Sequence, residues 1–285
     1  MRLCRYDDDR LGLVEGDCVK DVSPALDALP AVRWPVPPGD LLVAHLDRVR
    51  RRVGELAAGA PAKPLAAVTL KSPVANPGKI IGAPVNYRKH LDEARADTGI
   101  NFGTAIRTID EYGLFLKAGS SLVGPGEGVA TPFPERRHDH EGELAVVIGR
   151  SGKNIRAADA LGHVAGYCLG LDMVVRGTED RSFRKSIDTY AVLGPWLVTA
   201  DEIPDPSHLD LTLWVNGEER QRTNTSLLIY DVPKLVEYAS SFYTLHPGDV
   251  IMTGTPEGVA AVKPGDTIRL AVERIGAMEV KVRAA

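Results

Sequence analysis

A chain of 285 residues with 44% hydrophobic and 25% charged side chains has apolar material for one large core or two unequal ones, which excludes an extended disordered chain. Its net charge of -4 offers no basic footprint for nucleic acid, and no stretch is long and apolar enough to cross a bilayer. Cys4, Cys18 and Cys168 are too few and too widely spaced for a zinc or disulfide framework. With Arg2 and the acidic Asp7, Asp8 and Asp9 where a signal region would be apolar, this predicts a protein of the reducing cytoplasm.

In chain order, 28 Gly and 20 Pro among short apolar runs predict a β-rich α+β fold. Residues 1–70 read as a small N-terminal α+β domain: strands at 2–6 and 11–14, a Pro-rich loop, then a helix. That helix is marked by Leu42, Leu46, Val49, Val53 and Leu56, which recur at steps of four and three. Arg48, Arg50, Arg51 and Arg52 form its solvated back, the commoner meaning of such a cluster. Further strands are expected at 68–70 and 80–81. Over 71–285 short strands alternate with turn signals such as Gly124-Pro125-Gly126, Pro247-Gly248 and Pro264-Gly265, the punctuation of a sandwich or barrel. Asn216-Gly217, after the apolar run 211–215, is the clearest hairpin turn.

The chemistry concentrates at His138-Asp139-His140-Glu141-Gly142-Glu143, which opens the apolar run 144–148. Side chains at i and i+2 of a strand share a face, so Glu141 and Glu143 lie together. Two carboxylates beside so apolar a run need a shared proton, a basic partner or a cation. Asp172, closing the apolar stretch 164–171, can complete an oxygen-only shell, which selects magnesium, manganese or calcium over zinc. Taken alone, Glu-x-Glu is more often a solvated strand face, and His138 and His140 leave a borderline-metal site open.

The surrounding segments match a known pattern in order. Asn86-Tyr87-Arg88-Lys89-His90-Leu91-Asp92-Glu93 is followed by Phe115-Leu116-Lys117, Glu141-Gly142-Glu143-Leu144, Asp172, Lys185-Ser186-Ile187-Asp188-Thr189, Leu193-Gly194-Pro195-Trp196, Val215-Asn216-Gly217-Glu218 and the run from Pro247 to Val259. From about residue 78 onward the chain resembles the fumarylacetoacetate hydrolase family, in its acylpyruvase or 2-hydroxyhepta-2,4-diene-1,7-dioate isomerase-like branch. The resemblance implies a mixed β-sandwich roll for 71–285 and a homodimer. It implies Mg2+ or Mn2+, with Ca2+ as a further option, on Glu141, Glu143 and Asp172. It places Lys185 beside the substrate, Thr255 at a substrate carboxylate, and His90 with Glu93 as a dyad on a lid helix. The family's Asp-x-Ser-Ala-Arg-Asp stretch is altered here: Arg176 is kept, Gly177 replaces the acid, and Glu179 stands where a glutamine often follows. The stretch 98–111 is an extended lid expected to tune specificity.

Residues and resemblance together imply a divalent-metal-dependent hydrolase that cleaves a carbon–carbon bond of an acylpyruvate-like 2,4-dioxo acid through an enolate. At i and i+3, His90 and Glu93 share a helix face, so Glu93 can orient an imidazole that takes a proton from water. In isolation that spacing also describes a surface ion pair, and Lys185 could serve only to neutralise Asp188. Two other functions stay open. One is 2-oxo acid decarboxylation, tautomerisation, isomerisation or ureidoglycolate-type lyase cleavage on the same scaffold; the other is a non-catalytic, metal-stabilised carboxylate-binding domain. In every case the partner is a small 2-oxo acid, enol or carboxylate, with no nucleic acid and no membrane.

Overall fold

The computed structural model describes residues 1–285, and its spine is a twelve-stranded, mostly antiparallel sheet. Across its middle run Arg2–Tyr6, Ala191–Thr199, Val164–Asp172, Gly142–Ile148, Val250–Met252 and Ile80–Gly82, the last pair parallel. Gly142–Ile148 is apolar from Leu144 onward because both of its faces are covered. Leu144, Val146 and Ile148 enter the larger core, to which a second, five-stranded sheet contributes Leu211, Leu213, Ile268, Leu270 and Val280. Ala145 and Val147 point the other way, into a smaller core roofed by Leu46, Val49 and Val53 of the helix Leu46–Leu56. The result is a β-rich sandwich with one helical flank, as the sequence predicts.

The hairpin at Asn216-Gly217 forms as expected: Val215 faces Glu218, and both turn residues have positive φ, 52° and 83°. The strand Arg2–Tyr6 also lies where expected, but it joins the spine sheet through Leu3 opposite Leu197. A domain boundary near residue 70 is thus a proposal about a chain whose two parts share one hydrogen-bonded sheet.

Two local expectations change. The helix read across Leu42 to Leu56 is broken at His45 into Leu41–Ala44 and Leu46–Leu56. Asp40 fastens the first piece, accepting from Val43 N–H with one oxygen and from Ala75 and Asn76 N–H with the other. Tertiary anchoring therefore sets that turn's direction. Residues 65–67 form a 3-10 turn, and the strand expected at 68–70 is confined to Leu70–Lys71.

Arg50 pairs with Asp201 at 2.7 Å and Arg52 with Glu55 at 2.5 Å on the open back of the helix, contacts worth about 0–1 kcal/mol each. No helix is long and apolar enough to cross a membrane. All three cysteines are free, and burial pushes the Cys4 and Cys168 thiols up to about 12, so neither is a ready nucleophile.

Candidate active site

Strand register brings together what spacing alone leaves apart. Gly142 lies opposite Leu171, and Asp172 N–H donates to the Glu141 carbonyl at 2.9 Å. Asp172 is therefore the cross-strand neighbour of Glu141, on the face that alternation also gives to Glu143. One carboxylate oxygen from each of the three lies within 4.8 Å of the others, and all three side chains are buried.

Cations surround this cluster unevenly. Lys185 Nζ lies 2.6 Å from Glu141 Oε2 and 2.5 Å from Asp172 Oδ2, and Lys117 pairs with the other Asp172 oxygen. Arg176 donates to Glu141 Oε1 at 3.1 Å and to Asp139 Oδ2 at 2.7 Å. Burial alone would raise the Glu141 carboxyl, but the Lys185 and Arg176 charges overcome it and hold it at about 2. Glu143 meets no cation; its Oε2 accepts only Gly254 N–H, at 2.6 Å. Burial, and then the Asp172 charge, push Glu143 well above the usual carboxylate range. A buried carboxylate short of positive charge, beside two others in an all-oxygen set, is the donor chemistry of a hard divalent cation. The residues present fit magnesium or manganese.

The histidines of the same strand do not join this set. His138 uses both ring nitrogens, one with the Tyr190 hydroxyl and one with the Phe133 carbonyl. His140 is enclosed without a hydrogen-bond partner, and burial lowers it to about 4. Lys185 neutralises Glu141 and Asp172, not Asp188.

The helix Arg88–Ala96 carries the dyad, with His90 Nδ1 3.0 Å from Glu93 Oε2. Gly258 N–H donates to Glu93 Oε1 at 2.8 Å, so the carboxylate is held from both sides. Asn86 anchors the approach to this helix, donating to the Tyr230 and Thr253 carbonyls and accepting from Tyr230 N–H. His90, the three acids, Arg176, Lys185 and Thr255 all line one cavity of about 180 Å³. Thr255 donates its hydroxyl to the Gly142 carbonyl and accepts from Gln221, so contact with a substrate carboxylate requires exchanging that donation. Within 98–111, Ile100, Phe102 and Ile106 line the cavity mouth, whereas Ile109 is wholly buried in the larger core. The stretch expected to act as an extended lid is therefore pinned at one end.

Sequence reasoning left Lys117 without a role, since a lone lysine after Phe115-Leu116 has no spacing signature; its strand reaches the site only through pairing with Ile80–Gly82. Gln221 was equally hidden in a charged strand, yet its amide links Gly142, Thr255 and Pro256. The altered residues after Arg176 also find an account. Arg136 donates to both Glu179 oxygens and to the Arg176 carbonyl, and Gly177 is the space that lets this bridge close. Gly177→Ala is expected to dislodge Arg136 and cost about 1 kcal/mol as an overpacked contact, lowering the melting temperature by about 2–4 °C. Glu179→Gln should cost less in the same thermal scan. An unshifted melting curve for Gly177→Ala would show that the bridge yields freely.

Residues 79–283 match the family model "Fumarylacetoacetate (FAA) hydrolase C-terminal". The chain is 56% identical over 286 residues to maleylpyruvate hydrolase of Aquipseudomonas alcaligenes, covering 100% of both. It is 37% identical over 240 residues to the human mitochondrial oxaloacetate tautomerase FAHD2A, covering 80% of this chain and 73% of that one. Among solved structures, maleylpyruvate hydrolase from Sphingobium sp. SYK-6, in complex with manganese(II) and pyruvate, superposes with a TM-score of 0.85 at 41% identity, over 100% of both chains.

Proposed function

Because the chain belongs to the fumarylacetoacetate hydrolase family, we propose that it is a divalent-metal-dependent hydrolase cleaving a carbon–carbon bond of an acylpyruvate, with maleylpyruvate as the substrate. The observation that carries this reading is the convergence of a proton-accepting dyad and an acidic triad on one cavity. A passive carboxylate binder needs only the second.

Glu141, Glu143 and Asp172 would hold the cation, which supplies Lewis acidity toward the carboxylate and 2-oxo oxygens of the substrate. Glu93 keeps a proton on His90 Nδ1, leaving Nε2 as the base. His90 takes a proton from water as its oxygen attacks the 4-carbonyl carbon. The bond between C3 and C4 then breaks, its electron pair passing to the pyruvyl half as the enolate, while the acyl half leaves as a carboxylic acid. The proton held by His90 can return to C3, giving pyruvate. Lys185, placed between Glu141 and Asp172, adds positive charge where that enolate develops. Arg176 holds Glu141 in place, and Thr255 borders the substrate at the other side.

The test is product identification. Manganese-loaded protein given maleylpyruvate should release maleate and pyruvate in equal amounts. Given oxaloacetate, it should release carbon dioxide or exchange keto and enol forms far more slowly. Proton exchange without carbon–carbon cleavage on both compounds would replace hydrolysis by tautomerisation. A homodimer in the cytoplasm belongs to the same proposal, on the family resemblance, and light scattering of the purified protein reads the assembly.

A further inference from the structure

The cations beside the acid cluster are each matched by a carboxylate: Lys117 and Lys185 by the cluster itself, Arg176 by Asp139 and Glu141. Two others on the wall of the same cavity are not. Arg181 and Arg184 sit three residues apart on the short helix Arg181–Lys185, which places them on one face, and both line the cavity. Neither makes an ion pair. Arg184 is half-buried and its Nε donates to the Glu179 carbonyl, which fixes the side chain without neutralising it. The Arg181 guanidinium lies 4.5 Å from the centre of the Tyr112 ring and 5.5 Å from that of Phe115. It is thus held between the end of the extended lid and the sheet.

Two half-buried guanidinium groups that repel each other and lack a counter-ion are stored affinity for an anion. Burial, followed by the nearby Arg176 and Arg181 charges, makes the protonated form of Arg184 less favourable than usual, more than the Glu141 and Glu179 charges offset. On the hydrolase reading the acid cluster, which lines the same cavity, takes the 2-oxo acid end of a substrate, and its carboxylates are already matched by Lys117, Lys185 and Arg176, so the anion left for the arginines is a second, distal group of the same molecule. On this geometry we propose that Arg181 and Arg184 form the site for the distal carboxylate of a 2-oxo dicarboxylic acid, and so select dicarboxylates over otherwise identical monocarboxylates. Arg184 offers its free guanidinium nitrogens as a fork. Arg181, held over the Tyr112 ring beside the pinned end of the extended segment, keeps its guanidinium on the cavity wall as a second donor to the same carboxylate. The inference rests on the hydrolase reading for the orientation of the substrate, but its test does not need turnover.

The probes are 2-oxoheptanedioate and 2-oxoheptanoate, seven-carbon 2-oxo acids that differ only in a terminal carboxylate against a methyl. Neither has the 4-oxo group that hydrolysis requires. Calorimetric dissociation constants on the manganese-loaded protein should favour the dioate by about 10-fold or more, the size of one charge-assisted hydrogen-bonded contact. In Arg184→Gln that ratio should fall to about 3-fold or less, in Arg181→Leu it should fall partway, and Arg184→Lys should recover part of it. A wild-type protein that does not distinguish the probes, or a preference that survives the Arg181→Leu/Arg184→Gln double variant, overturns the proposal. Failure of the wild type to cleave any 2,4-dioxo acid would instead bring down the hydrolase reading, while the ratio of dissociation constants still decides the arginine pair.

Discussion

In Glu143→Ala, affinity for manganese is expected to fall by at least about 10²-fold, and turnover with it. Removing a group that only supports a metal ligand already costs about 10–100-fold, so loss of an inward carboxylate of the triad should cost at least as much. The fold should survive. Glu143 has no cationic partner to orphan, and its charge is held against burial and the Asp172 carboxylate, so Glu143→Gln should leave the metal-free protein as stable as the wild type or more so. Asp172→Ala should differ in sign on that second measure: it takes from buried Lys117 its one carboxylate partner, and from Lys185 one of two, and should destabilise the metal-free protein. Calorimetric titration with manganese and thermal scans with chelator separate the two effects. Chelation should also abolish turnover in the wild type, and added manganese or magnesium should restore it. Wild-type manganese affinity in Glu143→Ala would remove the triad as the metal site.

The second large effect is kinetic. His90→Ala should lower kcat by about 10²-fold or more, the usual loss when a positioned proton acceptor is removed, with manganese affinity close to that of the wild type. His90 Nδ1 lies 3.0 Å from Glu93 Oε2, and on the reading that Glu93 acts only through His90 the His90→Ala/Glu93→Ala double variant should be little slower than His90→Ala alone. Lys185→Met should damage any reaction that passes through an enolate, whereas His90→Ala should spare decarboxylation, which needs no activated water. Full hydrolytic turnover by His90→Ala would take the dyad out of the reaction and leave the acid cluster and Lys185.

Much of the site could be read from the chain because its local rules are short-ranged. Glu141 and Glu143 are paired by the two-residue period of a strand, and His90 and Glu93 by the spacing of a helix, so each pair needs only its own element to form. Asp172 is different: that it lies opposite Glu141 depends on a register set by the whole length of the ladder with Val164–Asp172. Its place at the end of an apolar stretch nominated it and the family resemblance made it a ligand, but neither gave that register. Lys117 and Gln221 escaped because strands from distant parts of the chain bring them to the site, and Gly177 because its contribution is an unfilled volume. In the fold, the hairpin at Asn216-Gly217 follows from its two residues, whereas the break at His45 follows from what Asp40 grips in another loop. Legibility thus decreases as the determinant moves from one element to a contact between elements.

The loop that follows Met252 touches both halves of the chemistry. Its Gly254 N–H holds Glu143, and four residues on its Gly258 N–H holds Glu93. The acid cluster and the helix Arg88–Ala96 therefore lean on one loop, and that helix cannot lift away without giving up Gly258. Thermodynamic reciprocity follows. Whatever free energy a bound cation adds to or takes from the docking of that helix, docking must return to cation binding with the same sign. A substitution that loosens the helix at Gly258 would therefore be read in metal affinity as well as in turnover, although it touches no acid of the cluster.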